Sequence, residues 1–413
     1  MSENVRRALL ITGFMLVVLG LGFGLYWVFF RSAAVAPVTV SNSPSLPGGG
    51  LPSPGKGQPG GAPSTSTTGL PTVGGIIPTP IPPLPTGVPT IVRSEIVTQT
   101  VTRMASMSAG GNMRGYNPAD GKFYGYSADG VATPLSNQAF FNVKEIAWAA
   151  QSDKAVLTYP DGSNIFYDFA TDKQVTLPKH WEGFAFAPGD AQIVTKSVGN
   201  NEDNRFLIVA NPDGSGAKAL EPLGDNQAKV QVSWSPNNQV VAFSHTGDPL
   251  GFDREQILLI GQNHENFKGL VVEGRGFIPE WSPSGKNLLY SVYSGANEYK
   301  PTIWVSGAQG DSVNANRVNI RLDTWADKCS WSGETVLICG VPTNLPVGAG
   351  LQRDLAQNIP DEIYKIDLTT GTKVNLGLAA GNSSVQSMSV TPDGKTALFT
   401  DATTGRLVRF NLE

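Results

Sequence analysis

The chain has 413 residues, 30 basic against 34 acidic side chains, a net charge of −4, two cysteines and three histidines. It has no Lys/Arg run and no stripe of basic residues interleaved with aromatics, so it lacks the electrostatic footprint of a nucleic-acid binder. Two cysteines without nearby histidines, and no His-Glu-x-x-His, leave no spacing that asks for a metal, and nothing points to another cofactor.

Residues 1–7 form a short tail carrying Arg6 and Arg7. Ala8 to Phe30 is an unbroken, uncharged and mostly apolar run of about 23 residues, long enough to span a bilayer as a helix. Only Arg31 follows closely, so the charge bias places the N-terminus in the cytoplasm. The competing reading is a cleaved signal peptide, because Ala34-Val35-Ala36 resembles a cleavage site. The apolar run exceeds the roughly 7–15 residues of a signal core, which favours an uncleaved anchor. Either way the rest of the chain leaves the cytoplasm. Residues 31–92 are dominated by Pro, Gly, Ser and Thr, and Lys56 is the only charge between Ser32 and Val92. Such a segment cannot bury a core and is expected to be a disordered linker.

From residue 93 onward one unit recurs. Trp234-Ser235-Pro236-Asn237-Asn238 precedes the apolar run Val240 to Ser244, and Trp281-Ser282-Pro283-Ser284-Gly285 precedes Leu288 to Ser291. Weaker copies begin at Trp148, Phe186, Trp331 and Val390, and a degraded first copy at Met107. Spacings of roughly 40 to 60 residues are those of propeller blades, each a four-stranded sheet. Alternating apolar, β-branched and aromatic residues between Pro-x-Gly turns read as strands. The recurring Trp reads as core packing between neighbouring sheets.

The last unit supplies only three strands before Glu413, whereas residues 94–102 form a strand-like run with no partner in their own repeat. Adding that run to the last blade would close the ring and remove exposed edges. The expected fold is therefore an all-β, seven-bladed propeller over 93–413. Six blades is the alternative if the first copy is not a true repeat. Cys329 and Cys339 flank the turn at Glu334 symmetrically, on the first two strands of the sixth unit. In an oxidising compartment this predicts a disulfide, with two buried thiols as the alternative.

The Trp-Ser-Pro-x-Gly units, and third strands such as Ile363 to Asp367 ending in a Thr-Gly turn, resemble the TolB-type, WD-repeat-like propellers. The resemblance spans roughly residues 93–413 and implies a radial propeller outside the cytoplasm that works as a binding platform. The small α/β domain of TolB proteins is absent, an anchor and linker stand in its place, and the Gly-His and Trp-Asp marks of WD repeats are missing.

No Gly-x-Ser-x-Gly elbow or appended hydrolase domain occurs, and the Asp-Gly pairs read as turns, so no catalytic residue is assigned. Loops between second and third strands are long and varied, whereas those between first and second strands are tight. Function is expected on the long-loop face, where the connections into the first strands carry His180, Trp181, Arg275, Trp325 and Asp327. The expected role is binding of a protein or cell-envelope ligand. The alternative is a propeller hydrolase acting on envelope polysaccharide or peptide, its carboxylates drawn from distant blades.

Overall fold

The computed structural model describes residues 12–21, 23 and 93–413 except 266. The chain separates into two units, Met1–Pro83 and Leu84–Glu413. In the first, residues 12–21 and 23 are helical. No helix among the described residues is long and apolar enough to cross a membrane. The expected span of 8–30 runs past them at both ends, and the tail 1–7 and the linker 31–92 lie outside them.

The second unit is a seven-bladed β-propeller built from seven four-stranded antiparallel sheets. The first strands of blades 1 to 7 are Arg103–Met107, Glu145–Trp148, Trp181–Phe186, Val230–Val232, Arg275–Trp281, Cys329–Trp331 and Val385–Val390. The degraded first repeat is a full blade, which sets aside the six-bladed alternative. The second strands explain the continuous apolar runs. Val240–Ser244 is buried at every position, because neighbouring blades cover both of its faces.

The motif has a physical reason at each residue. The Trp281 ring stacks on Phe243 of the preceding blade at 5.3 Å, and its Nε1 donates to Ser233 at 3.0 Å. Buried Ser235 Oγ accepts the backbone N–H groups of Gln239 (3.1 Å) and Val240 (2.8 Å), and Ser282 Oγ does the same for Asn287 at 3.1 Å. The turn then needs a left-handed residue, supplied by Asp190, Asn238, Gly285 and Gly394 at φ of 57°, 60°, 69° and 72°.

These tight turns are stitched to one another. Arg114 of blade 1 is buried and donates to Ala149 O (2.8 Å) and Ser152 O (2.7 Å) in the turn of blade 2. Asp190 of blade 3 accepts from Ala150 N, Gln151 N and Ser152 Oγ of that same turn. Asn237 donates to Gly285 O of blade 5 at 3.0 Å, and Ser284 donates through N and Oγ to Glu334 of blade 6, both at 2.7 Å.

Closure occurs as expected, with a shorter strand. Ser94–Ile96 forms the outer strand of blade 7, in register Ser94↔Phe410, Glu95↔Arg409 and Ile96↔Val408. Val97 N–H continues the ladder to Leu407 O at 2.9 Å, after which the chain crosses to blade 1. Arg409 pairs with Glu95, and with Asp129 of blade 1 at 2.6 Å. Cys329 and Cys339 oppose each other in the register of blade 6 and form a disulfide, with Cα atoms 4.0 Å apart.

Candidate binding face

The long-loop face is organised by two arginines. Arg275, at the start of blade 5, reaches back to the 245–254 loop of blade 4. Its Nε donates to Phe252 O (3.0 Å), Nη2 to Gly251 O (2.9 Å) and Nη1 to Glu255 Oε2 (3.0 Å). Burial works against the charge of Glu255, but hydrogen bonds and charge from His245 and Arg275 outweigh it and hold its carboxyl below the usual range.

The second arginine, Arg353, comes from the 343–360 loop of blade 6. Its guanidinium lies 4.9 Å from the centre of the Trp325 ring and donates to Asp327 at 2.6 and 3.0 Å. Trp325 is 3% exposed and forms a small core with Leu345, Ala349 and Ala356 beneath the loop. Next to Asp327, buried Lys328 donates to both oxygens of buried Asp361 (3.1 and 2.8 Å), which also accepts the Val385 N–H of blade 7. Burial opposes both charges, lowering the Lys328 pKa and raising that of Asp361, and mutual attraction offsets part of this.

The five expected site residues therefore divide. Trp325 and Asp327 share a cavity of about 340 Å³ with Arg353, Gln357 and Ser384. Arg275 supports a loop in the adjoining blades. Trp181 is 5% exposed and sits in the apolar layer between blades 2 and 3 with Val156, Phe166 and Leu177. His180 is exposed, and its backbone O accepts the Val198 N–H at 2.7 Å. Among the described residues no hydrogen bond, ion pair or ring contact joins His180 or Trp181 to the other three. Trp181, Arg275, Trp325 and Asp327 act on this face as supports of loops or of packing.

What the supports hold up was missed from sequence. Phe252 is 78% exposed, Val347 64% and Leu351 61%, with Leu250 and Leu355 also exposed, all on the two loops that Arg275 and Arg353 fasten. The readable signal was apolar residues inside loops otherwise rich in Gly, Asp and Pro. A cavity of about 650 Å³ with mixed polar and apolar walls lies at the start of the 343–360 loop, lined by Ser294, Asn297, Lys300, Arg321, Asp323 and Thr343 among others.

One titratable group stands apart. Glu280, in the first strand of blade 5, is exposed to solvent yet set deep among surrounding protein atoms. That enclosure, with the Asp327 carboxylate adding to it, pushes its carboxyl up to about 7. Among the described residues no group of three or more His, Cys, Asp or Glu could hold a metal ion.

No family model and no curated protein matches the chain. Solved structures do. The β-propeller domain of Cps50 (Swd1) from Myceliophteria thermophila aligns with a TM-score of 0.52 at 12% identity, covering 78% of this chain and all of that one. Oligogalacturonate lyase in complex with manganese aligns at 0.50 and 14% identity, covering 78% and 90%. The tricorn protease aligns at 0.50 and 11% identity over 78% of this chain, which spans about a third (34%) of that protein. At such identities the likeness is one of fold alone. The fold is a β-propeller.

Proposed function

We propose that the protein is a membrane-tethered, extracytoplasmic binding platform that engages a protein or cell-envelope ligand through its long-loop face, in the manner expected of a TolB-type propeller. One observation carries the reading. The tight turns on one face are occupied by blade-to-blade hydrogen bonds, whereas two guanidinium clamps on the other hold apolar side chains out to solvent. Rigid support of exposed apolar residues lowers the ordering cost of binding. The apolar run from Ala8 to Phe30 supports the anchor, and the disulfide suits an oxidising compartment. The test places a photo-crosslinking residue at Leu355 or at Ser284 of the full-length protein in its native membrane. Capture from position 355 and not from 284 is expected; the reverse would refute the choice of face. Protection of the propeller from a protease added on the cytoplasmic side tests the topology.

A second reading, a hydrolase, draws on Glu280, whose carboxyl is pushed up to about 7 with the nearby Asp327 charge contributing, since a raised carboxyl is what a general acid needs. Loss of all turnover of envelope glycans or peptides in Glu280→Gln, with binding intact, would establish it.

A further inference from the structure

Five exposed apolar side chains belong to two loops that are not neighbours in sequence: Leu250 and Phe252 in blade 4, and Val347, Leu351 and Leu355 in blade 6. The 294–300 loop of blade 5 joins them. Gly295 N–H donates to Asp253 Oδ1 at 3.4 Å, while Gly348 N–H donates to Glu298 O (2.9 Å) and Gly350 N–H to Tyr299 O (2.7 Å). The bridging loop is fixed by two consecutive left-handed residues, Glu298 and Tyr299, each at φ 55°. Three loops thus form one knitted surface.

The charges around it select the occupant. Lys300 is paired with Glu298 at 2.6 Å, Arg254 with Glu273 at 2.9 Å and Arg353 with Asp327 at 2.6 Å, so the basic residues on these three loops are paired. Among the described residues Asp248, Asp253 and Asp354 have no basic partner, and Asp248 and Asp354 are exposed. The spare carboxylates on these loops repel an anionic bilayer. A mainly aliphatic patch lacks the stacked rings that grip sugars, whereas an apolar centre with a charged rim fits a polypeptide.

Resting on the platform reading above, we propose that this surface binds a polypeptide segment with apolar side chains on one side and Lys or Arg at its flanks. Phe252 and Leu351 are its apolar anchors, and Asp248 and Asp354 set the sign of the flanks.

Full-length protein in nanodiscs of neutral lipid is titrated with two synthetic amphipathic peptides. They share one Leu/Phe face and carry either Lys/Arg or Asp/Glu flanks. Fluorescence anisotropy should show binding of the basic-flanked peptide, weakening with salt, and none of the acidic one. Phe252→Asp and Leu351→Asp should each weaken it by about thirtyfold, the loss of one hot-spot side chain. Both residues are exposed, so the variants should melt as the wild type does. The pair Asp248→Lys with Asp354→Lys should reverse the preference. The proposal is overturned by failure of the basic-flanked peptide to bind, by indifference to Phe252→Asp and Leu351→Asp, or by a preference that survives charge reversal. Binding of anionic vesicles at this face would replace it with a lipid site, and concentration-dependent dimerisation lost in Phe252→Asp with a second copy. Native capture from Leu355 without the peptide preference would sink this inference alone; capture from Ser284 would sink the platform reading as well.

Discussion

Arg353 and Asp327, 26 residues apart, are joined by two hydrogen bonds of 2.6 and 3.0 Å across the face of Trp325. The pair fastens the longest loop of the propeller to the connection between blades 5 and 6. Replacing Arg353 by Ala should free the 343–360 loop without unfolding the ring. Both side chains are partly exposed, so the global cost should be about 1 kcal/mol or less. Hydrogen exchange should quicken across the loop and stay unchanged in blades 1 to 3. Arg353→Lys should not restore protection, because an ammonium cannot make the two-point contact. Unchanged exchange in Arg353→Ala would show that the small core under the loop suffices.

Deleting residues 93–96 should leave blade 7 with three strands and an open edge. The loss of three paired residues predicts a destabilisation of roughly 2–4 kcal/mol and faster aggregation. Thermal melts and light scattering would detect it. A variant melting within a degree or so of wild type would mean that the crossing to blade 1, not the strand pairing, holds the ring.

Protein made outside the cytoplasm should show no free thiol when unfolded without reductant. Two labels per chain would count against bonding in the native compartment. Changing both Cys329 and Cys339 to Ser should lower stability by about 2–3 kcal/mol, because the loop closed is short, with a separation of 10.

Glu280 predicts a pH signature. Its folded pKa is raised from 4.5 to about 7, so the native state holds a proton that the unfolded chain has released across that interval. Stability from this group therefore falls as pH rises from about 4.5 to 7 and is flat above. Glu280→Gln should melt close to wild type near pH 4.5 and above it at pH 8. A difference that does not change with pH would show that Glu280 titrates normally.

Much of the fold was legible because each blade repeats one local solution. Trp281, Ser282 and Gly285 perform three separate jobs in one short stretch, so pattern alone reveals the turn and the wedge. The closing strand was legible through a deficit, three strands at the end and a spare one at the start. Only its length was overestimated, because residues 97–102 have the composition of a strand but are used to cross to blade 1. The binding face was less legible. Trp181 and Trp325 have the residue type of contact hot spots, yet packing turned both inward, and nothing local in sequence records which way a ring points. Arg353 went unnoticed because its partners lie in the connection that opens its blade, and loop composition carries no periodicity from which a long-range contact could be read.

The chain that leaves residue 93 toward the N-terminus emerges from the very strand that seals the ring. Wherever that N-terminal segment is fastened, a pull on it is delivered first to the three-residue ladder between Ser94–Ile96 and blade 7, and to the Arg409 pairs with Glu95 and Asp129. If that segment is the tether proposed above, mooring and clasp are one piece, and a load on the leash bears on the hinge pin of the wheel before it reaches any other blade.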